Sequence, residues 1–167
     1  MSGKQPEWSE FLRRIYVQAP VKKIYNAWAK PSEITKWFLS KARAFDAGGK
    51  ERSASKAIVK GNSYEWKWYG SADTGEGKVL SANGINRLSF TFIDSATVVT
   101  VSMKKAGKRT FVELKQQHRH PEASRRKGIY LHCHPGWSYH LTNLKSIYEG
   151  GIDLREKKPD RKFLVNS

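Results

Sequence analysis

One stretch near the C-terminus, Pro135 to Gly151 (PGWSYHLTNLKSIYEGG), constrains the fold more than any other. Trp137, Leu141, Leu144 and Tyr148 recur at intervals of four, three and four, and Tyr130 and Cys133 extend the stripe upstream. On a 3.6-residue period these side chains share one helical face. His140, Asn143, Lys145 and Glu149 fall largely elsewhere, and Gly150-Gly151 is a stop signal. A stripe this wide and aromatic needs a large apolar partner surface. The upstream chain reads as the sheet that supplies it.

Phe11 to Gln18 mixes β-branched and aromatic residues and predicts a first strand. Ala19-Pro20 ends it, and Val21, Ile24, Tyr25 and Trp28 predict a short helix over Val21–Ala29. A second short helix is expected over Glu33–Phe38 with Ser32 as N-cap. Residues 39–61 carry little pattern. From Ser63 the period switches to two, with Tyr64, Trp66 and Trp68 on one face. Strands are then expected at Gly77–Ala82, Arg87–Ile93, Thr97–Lys104 and Arg109–His118, joined by turns at Asn83-Gly84, Asp94-Ser95 and Ala106-Gly107. Such short connections imply an antiparallel meander. Residues 120–127 (HPEASRRK) break it before the long helix. Pro135 within that helix predicts a kink near His134 or a restart. The expected organisation is a polar, frayed N-terminal tail (1–9), one α+β domain (10–151) and a charged C-terminal tail (152–167).

No apolar run reaches the roughly 18 to 20 residues that span a bilayer. The N-terminus MSGKQPEWSE lacks the apolar core of a signal peptide. The single Cys133 permits no internal disulfide. A cytoplasmic location is the expectation. The formal net charge of +16 would suit nucleic acid, an anionic membrane surface or an acidic partner, but no groove-reading motif accompanies it.

Two end motifs carry a family resemblance. The opening strand followed by Ala19-Pro20-Val21, Ile24, Ala27 and Trp28, and then Pro31, Ile34 and Trp37, resembles the start of START-like (SRPBCC) domains. Gly136-Trp137 with Leu141, Leu144-Lys145 and Glu149-Gly150-Gly151 resembles the end of the branch related to the activator of the heat-shock-90 ATPase. The resemblance covers about residues 11–151 and implies a helix-grip fold, a curved antiparallel sheet around a long C-terminal helix that closes a hydrophobic cavity. It also implies binding of lipids, sterols, polyketides or other apolar molecules, catalysis on them in some relatives, and chaperone modulation in others. It carries over no catalytic residue.

The residues expected to line such a cavity are Trp28, Trp37, Phe38, Tyr64, Trp66, Trp68, Phe90, Phe92, Cys133, Trp137 and Leu141. Dense core packing is the alternative use of the same aromatics. All five histidines lie between His118 and His140. His132 and His134 would sit about 200° apart on an ideal helix, and no carboxylate or second cysteine completes a recognised metal spacing. Neither a nucleotide-binding glycine loop nor a paired-carboxylate set appears. No metal, cofactor or catalytic residue is therefore assigned. Lys104, Lys105, Lys108 and Arg109 flank one turn, and Arg125, Arg126 and Lys127 precede the helix. The aromatics face inward, where bases do not reach them, so specific nucleic-acid binding is not expected. The expected function is non-enzymatic binding of a small hydrophobic ligand. The alternatives are a chaperone-modulating module meeting an acidic protein, or an enzyme on a hydrophobic substrate. Either a monomer or a homodimer fits.

Overall fold

The computed structural model describes residues 6–158. In chain order the elements are β1 (Glu10–Val17), α1 (Val21–Ala29), α2 (Pro31–Ile34), β2 (Lys41–Phe45), β3 (Ser63–Lys67), β4 (Gly75–Ala82), β5 (Arg87–Phe92), β6 (Asp94–Ala106), β7 (Arg109–His118) and α3 (Ala123–Tyr148). The seven strands form one sheet in the order β1-β7-β6-β5-β4-β3-β2. Every neighbouring pair is antiparallel. Strands β2 to β7 make the meander, and β1 closes the far edge against β7. This is the α+β helix-grip arrangement.

Alternation along the strands decides which face α3 covers. On β7, Thr110, Val112, Leu114, Gln116 and His118 are buried while the residues between them are not. Val99, Val101 and Met103 of β6 and Leu88 and Phe90 of β5 join them in the core. Cys133, Trp137, Leu141, Leu144 and Tyr148 are the buried stripe of α3 that meets this face. Tyr64 crosses above Gly77, where any Cβ would collide with its ring, and its hydroxyl donates to the Thr91 carbonyl at 2.5 Å.

Several boundaries differ from expectation. Helix α2 begins at Pro31 rather than Glu33 and ends at Ile34. Proline's fixed φ suits the first helical position, and Lys30, not Ser32, takes the cap position. Strand β6 starts at Asp94, because the chain turns one residue earlier. There Ile93 adopts φ 69°, a left-handed conformation costly for a β-branched residue. Asp94 secures the turn by accepting the Ala96 and Thr97 N–H groups, each at 3.0 Å. Helix α3 runs unbroken from Ala123, inside the segment expected to be irregular, and passes through Pro135 without restarting. The turn that loses its hydrogen bond there includes Leu131, 55% exposed, so water can serve the free carbonyl. Residues 6–9, expected to fray, are held: Arg126 donates to the Glu7 carbonyl at 3.0 Å and the Trp8 ring packs 5.0 Å from Tyr130. Met1 to Gln5 lie outside the described residues.

Candidate functional site

A cavity of about 880 Å³ opens where α3 passes the β3, β4 and β5 ends of the sheet. Its α3 wall is Cys133, Gly136, Trp137 and His140, which follow one another at helical spacing, with His132 beside them. Tyr64 and Phe92 form the sheet wall, and Phe38 enters from the turn after α2. The loop from Trp68 to Thr74 closes one side, and Arg155 and Glu156 close another. The aromatic lining is packed: Phe38 stacks 5.0 Å from Trp137, Phe92 lies 5.1 Å from Trp137, and Trp68 lies 5.6 Å from Phe38.

Of the eleven residues expected at this wall, Phe38, Tyr64, Trp68, Phe92, Cys133 and Trp137 border the cavity. Trp28, Trp37, Trp66, Phe90 and Leu141 stand behind it, each no more than 4% exposed. Trp37 is fixed by an indole hydrogen bond to the Ala27 carbonyl at 2.9 Å, and Trp28 packs 4.6 Å from it. Trp66 stacks on Tyr64 at 3.9 Å, so Tyr64 shields it. These five rings and aliphatic chains are core, supporting the wall from outside. Sequence reasoning missed Tyr69, His140 and the segment after α3. The aromatic alternation through Trp68 does not announce that the following loop folds over a cavity, and Arg155 acts on backbone carbonyls that no sequence pattern marks.

Arg155 is the clasp of that segment. Its guanidinium donates to the carbonyls of Leu39 (2.9 Å), Thr35 (3.1 Å) and Lys36 (2.9 Å), and to both carboxylate oxygens of Asp153 (2.9 and 2.8 Å). It also lies 5.2 Å over the Tyr69 ring. The Asn143 side chain, fully buried on α3, accepts the Leu154 N–H at 2.7 Å and donates to the Trp37 carbonyl at 2.7 Å. Residues 152–158, read from sequence as part of a tail, thus run against α3 and build one end of the cavity; the rest of that tail lies outside the described residues.

A hydrogen-bonded chain fixes the α3 wall to the sheet. The Trp137 indole donates to Gln116 Oε1 at 2.6 Å. With its oxygen so engaged, the Gln116 amide nitrogen donates to His118 Nε2 at 3.0 Å, and His118 Nδ1–H donates to the Trp8 carbonyl at 2.8 Å. The imidazole must be neutral for this chain to close. Burial holds its pKa down, and His120 adds to the effect.

The α3 wall carries no charge, although Asp73, Glu76, Arg155 and Glu156 also border the cavity. Burial pushes the Cys133 thiol up to about 11, with Gln116 opposing, so it stays protonated. Burial, helped by the nearby Arg155 charge, brings His140 down to about 4. The sign follows: an unfolded chain takes up protons near pH 6.5, while the folded one does not until about 4. Stability is therefore full above pH 6.5 and is lost as the pH falls toward 4, by on the order of 3 kcal/mol from His140. Urea unfolding at intervals from pH 7.5 to 4.5 should show this decline, and His140→Phe should flatten it. An unchanged slope in that variant would assign the acid sensitivity elsewhere.

A cavity with an aromatic wall, held between a curved antiparallel sheet and a C-terminal helix, defines a helix-grip protein of the START-like class. Within that class, the family described as "Activator of Hsp90 ATPase homolog 1-like protein" matches residues 18–149, and the chain belongs to this family. Among solved structures it is similar to the Aha1 dimer from Colwellia psychrerythraea, at 19% identity and TM-score 0.65, covering 85% of this chain and 97% of that one. CalU16 from Micromonospora echinospora aligns at 16% identity and TM-score 0.62, over 87% of this chain and 77% of that one. DynU16, from the dynemicin biosynthetic locus, aligns at 17% identity and TM-score 0.67, over 90% of this chain and 51% of that one. Likeness at these identities establishes the fold. No curated protein matches the sequence. No helix among the described residues is long and apolar enough to cross a membrane.

Proposed function

We propose that this protein binds a small hydrophobic ligand, lipid-like or aromatic, without transforming it. The cavity of about 880 Å³ carries the reading, because its volume and aromatic lining suit a drug-sized apolar guest. The neutral His140 and the protonated Cys133 favour holding over chemistry: a nucleophilic thiol would need its pKa lowered, and here burial raises it. Trp68 lies on the loop side of the cavity, half-buried, and can give area to a guest at little cost to the core.

Titration with the uncharged fluorophore N-phenyl-1-naphthylamine tests this. Saturable binding is expected, and Trp68→Ala, checked for folding by circular dichroism, should weaken it by roughly tenfold. Equal affinity in the folded variant would count against the wall. A second reading is a chaperone-modulating interaction module, favoured by the family's description and by the net charge of +16. It predicts no saturable binding of the fluorophore and salt-sensitive capture of an acidic protein.

A further inference from the structure

The end of the sheet opposite the cavity carries charge that ligand binding does not use. Strand β4 runs from Gly75 at the cavity to Ala82 at this end, and β5 returns from Arg87 to Phe92. Three segments meet here, spanning residues 18–25, 82–88 and 103–108. The Gly84 N–H donates to the Tyr25 hydroxyl at 2.9 Å, and the Met103 N–H donates to the Asn86 carbonyl at 2.9 Å. These segments present Lys22, Lys23, Arg87, Lys104, Lys105 and Lys108, all exposed, and contain no Asp or Glu. Among the described residues none of the six forms an ion pair with a carboxylate. Clustered like charge destabilises a fold by self-repulsion, so an anionic counterpart would be favoured here.

At the same end stands an exposed aliphatic side chain. Ile85 is 68% exposed at the tip of the β4–β5 loop. The tip is built rather than loose. Asn83 Oδ1 accepts the N–H groups of Ile85, Asn86 and Arg87 at 2.9, 2.9 and 3.0 Å, and Asn83 Nδ2 donates to Asn86 Oδ1 at 2.8 Å. Gly84 supplies the left-handed residue, at φ 75°, that the turn requires. A fixed loop therefore holds one apolar side chain in water at the end of the sheet that carries these cations.

We propose that this end docks on an anionic lipid bilayer, with the cations among the phospholipid headgroups and Ile85 entering the interface. A bilayer interface accepts a protruding tip and rewards both charge and an apolar insertion. Single-stranded nucleic acid fits less well, because it needs a free aromatic face for its bases. Two rings at least partly exposed lie on the adjoining strands, Tyr16 on β1 and Phe111 on β7. Arg109 lies 4.5 Å over Tyr16, and Phe111 packs 5.1 Å from it.

Vesicle cosedimentation tests the proposal with the full chain. Binding is expected to phosphatidylcholine vesicles containing about a third phosphatidylserine, with little to phosphatidylcholine alone and release at high salt. Lys104→Glu with Lys105→Glu should weaken binding by roughly a hundredfold. Ile85→Ser leaves the charge unchanged and should weaken it by roughly tenfold. All three positions are exposed, and circular dichroism checks that the variants fold. Absence of binding to the anionic vesicles overturns the proposal. So does unchanged binding by folded Ile85→Ser, which would leave a purely ionic contact, or tighter binding to single-stranded RNA than to the vesicles at equal salt.

Discussion

Replacing Arg155 by alanine is expected to cost about 3 to 5 kcal/mol of stability, the range for breaking an inward-facing ion pair by removing one partner. The side chain is 6% exposed and its guanidinium satisfies three backbone carbonyls and one carboxylate. Without it the Leu39, Thr35 and Lys36 carbonyls lose a charged donor, and Asp153 keeps Asn143 at 3.1 Å and Lys157 at 3.4 Å. The paired guanidinium holds the Asp153 carboxyl well below the usual carboxylate range, which reports the same interaction. For a chain of this size the loss corresponds to a fall in Tm of roughly 6 to 20 °C. Arg155→Lys keeps the charge but not the planar fork, and an intermediate loss is expected. Urea unfolding of the three proteins measures it. A loss below about 1 kcal/mol for Arg155→Ala would show that residues 152–158 do not hold the cavity end.

Trp137→Ala should be comparably damaging, at about 3 to 5 kcal/mol. The indole is 2% exposed and contacts Trp28, Phe38 and Phe92, and its N–H anchors the chain through Gln116 to His118. Trp137→Phe separates the two contributions. Most ring contacts survive, while Gln116 Oε1 is left buried without its donor, for a loss of about 1 to 3 kcal/mol. The Phe variant should also bind the apolar fluorophore nearly as well as the parent, since the wall stays aromatic. Equal stability of the Phe variant and the parent would remove the hydrogen-bonded chain from any structural role.

Physical pattern explains what could be read before the structure. Helix α1 was legible to the residue because Val21, Ile24, Tyr25 and Trp28 make a one-faced spacing bounded by two prolines. Strand β7 was equally legible, since its alternation is uninterrupted from Arg109 to His118. The resemblance of the two end motifs pointed to the helix-grip fold that the family match bears out. Alternation alone does not say whether an inward aromatic meets a ligand space or another ring. Trp66 and Trp68 follow one alternating pattern, yet β3 ends at Lys67, and Trp66 is covered by Tyr64 while Trp68 borders the cavity. The cavity's closing parts were illegible for a related reason. Arg155 reads as one cation in a charged tail, and its partners are carbonyls of residues 35, 36 and 39, far away in sequence and identical in chemistry to every other carbonyl. A restart at Pro135 does not occur, because propensity concerns an isolated helix, whereas α3 is held through its buried stripe against the sheet.

A ligand site between α3 and the sheet is tested most directly by native mass spectrometry of the purified protein, followed by release and identification of anything it carries. The expected result is a bound small apolar molecule, lost or diminished in folded Trp68→Ala. The bare polypeptide mass, together with no saturable binding of N-phenyl-1-naphthylamine, would contradict it and leave the aromatic wall as packing alone.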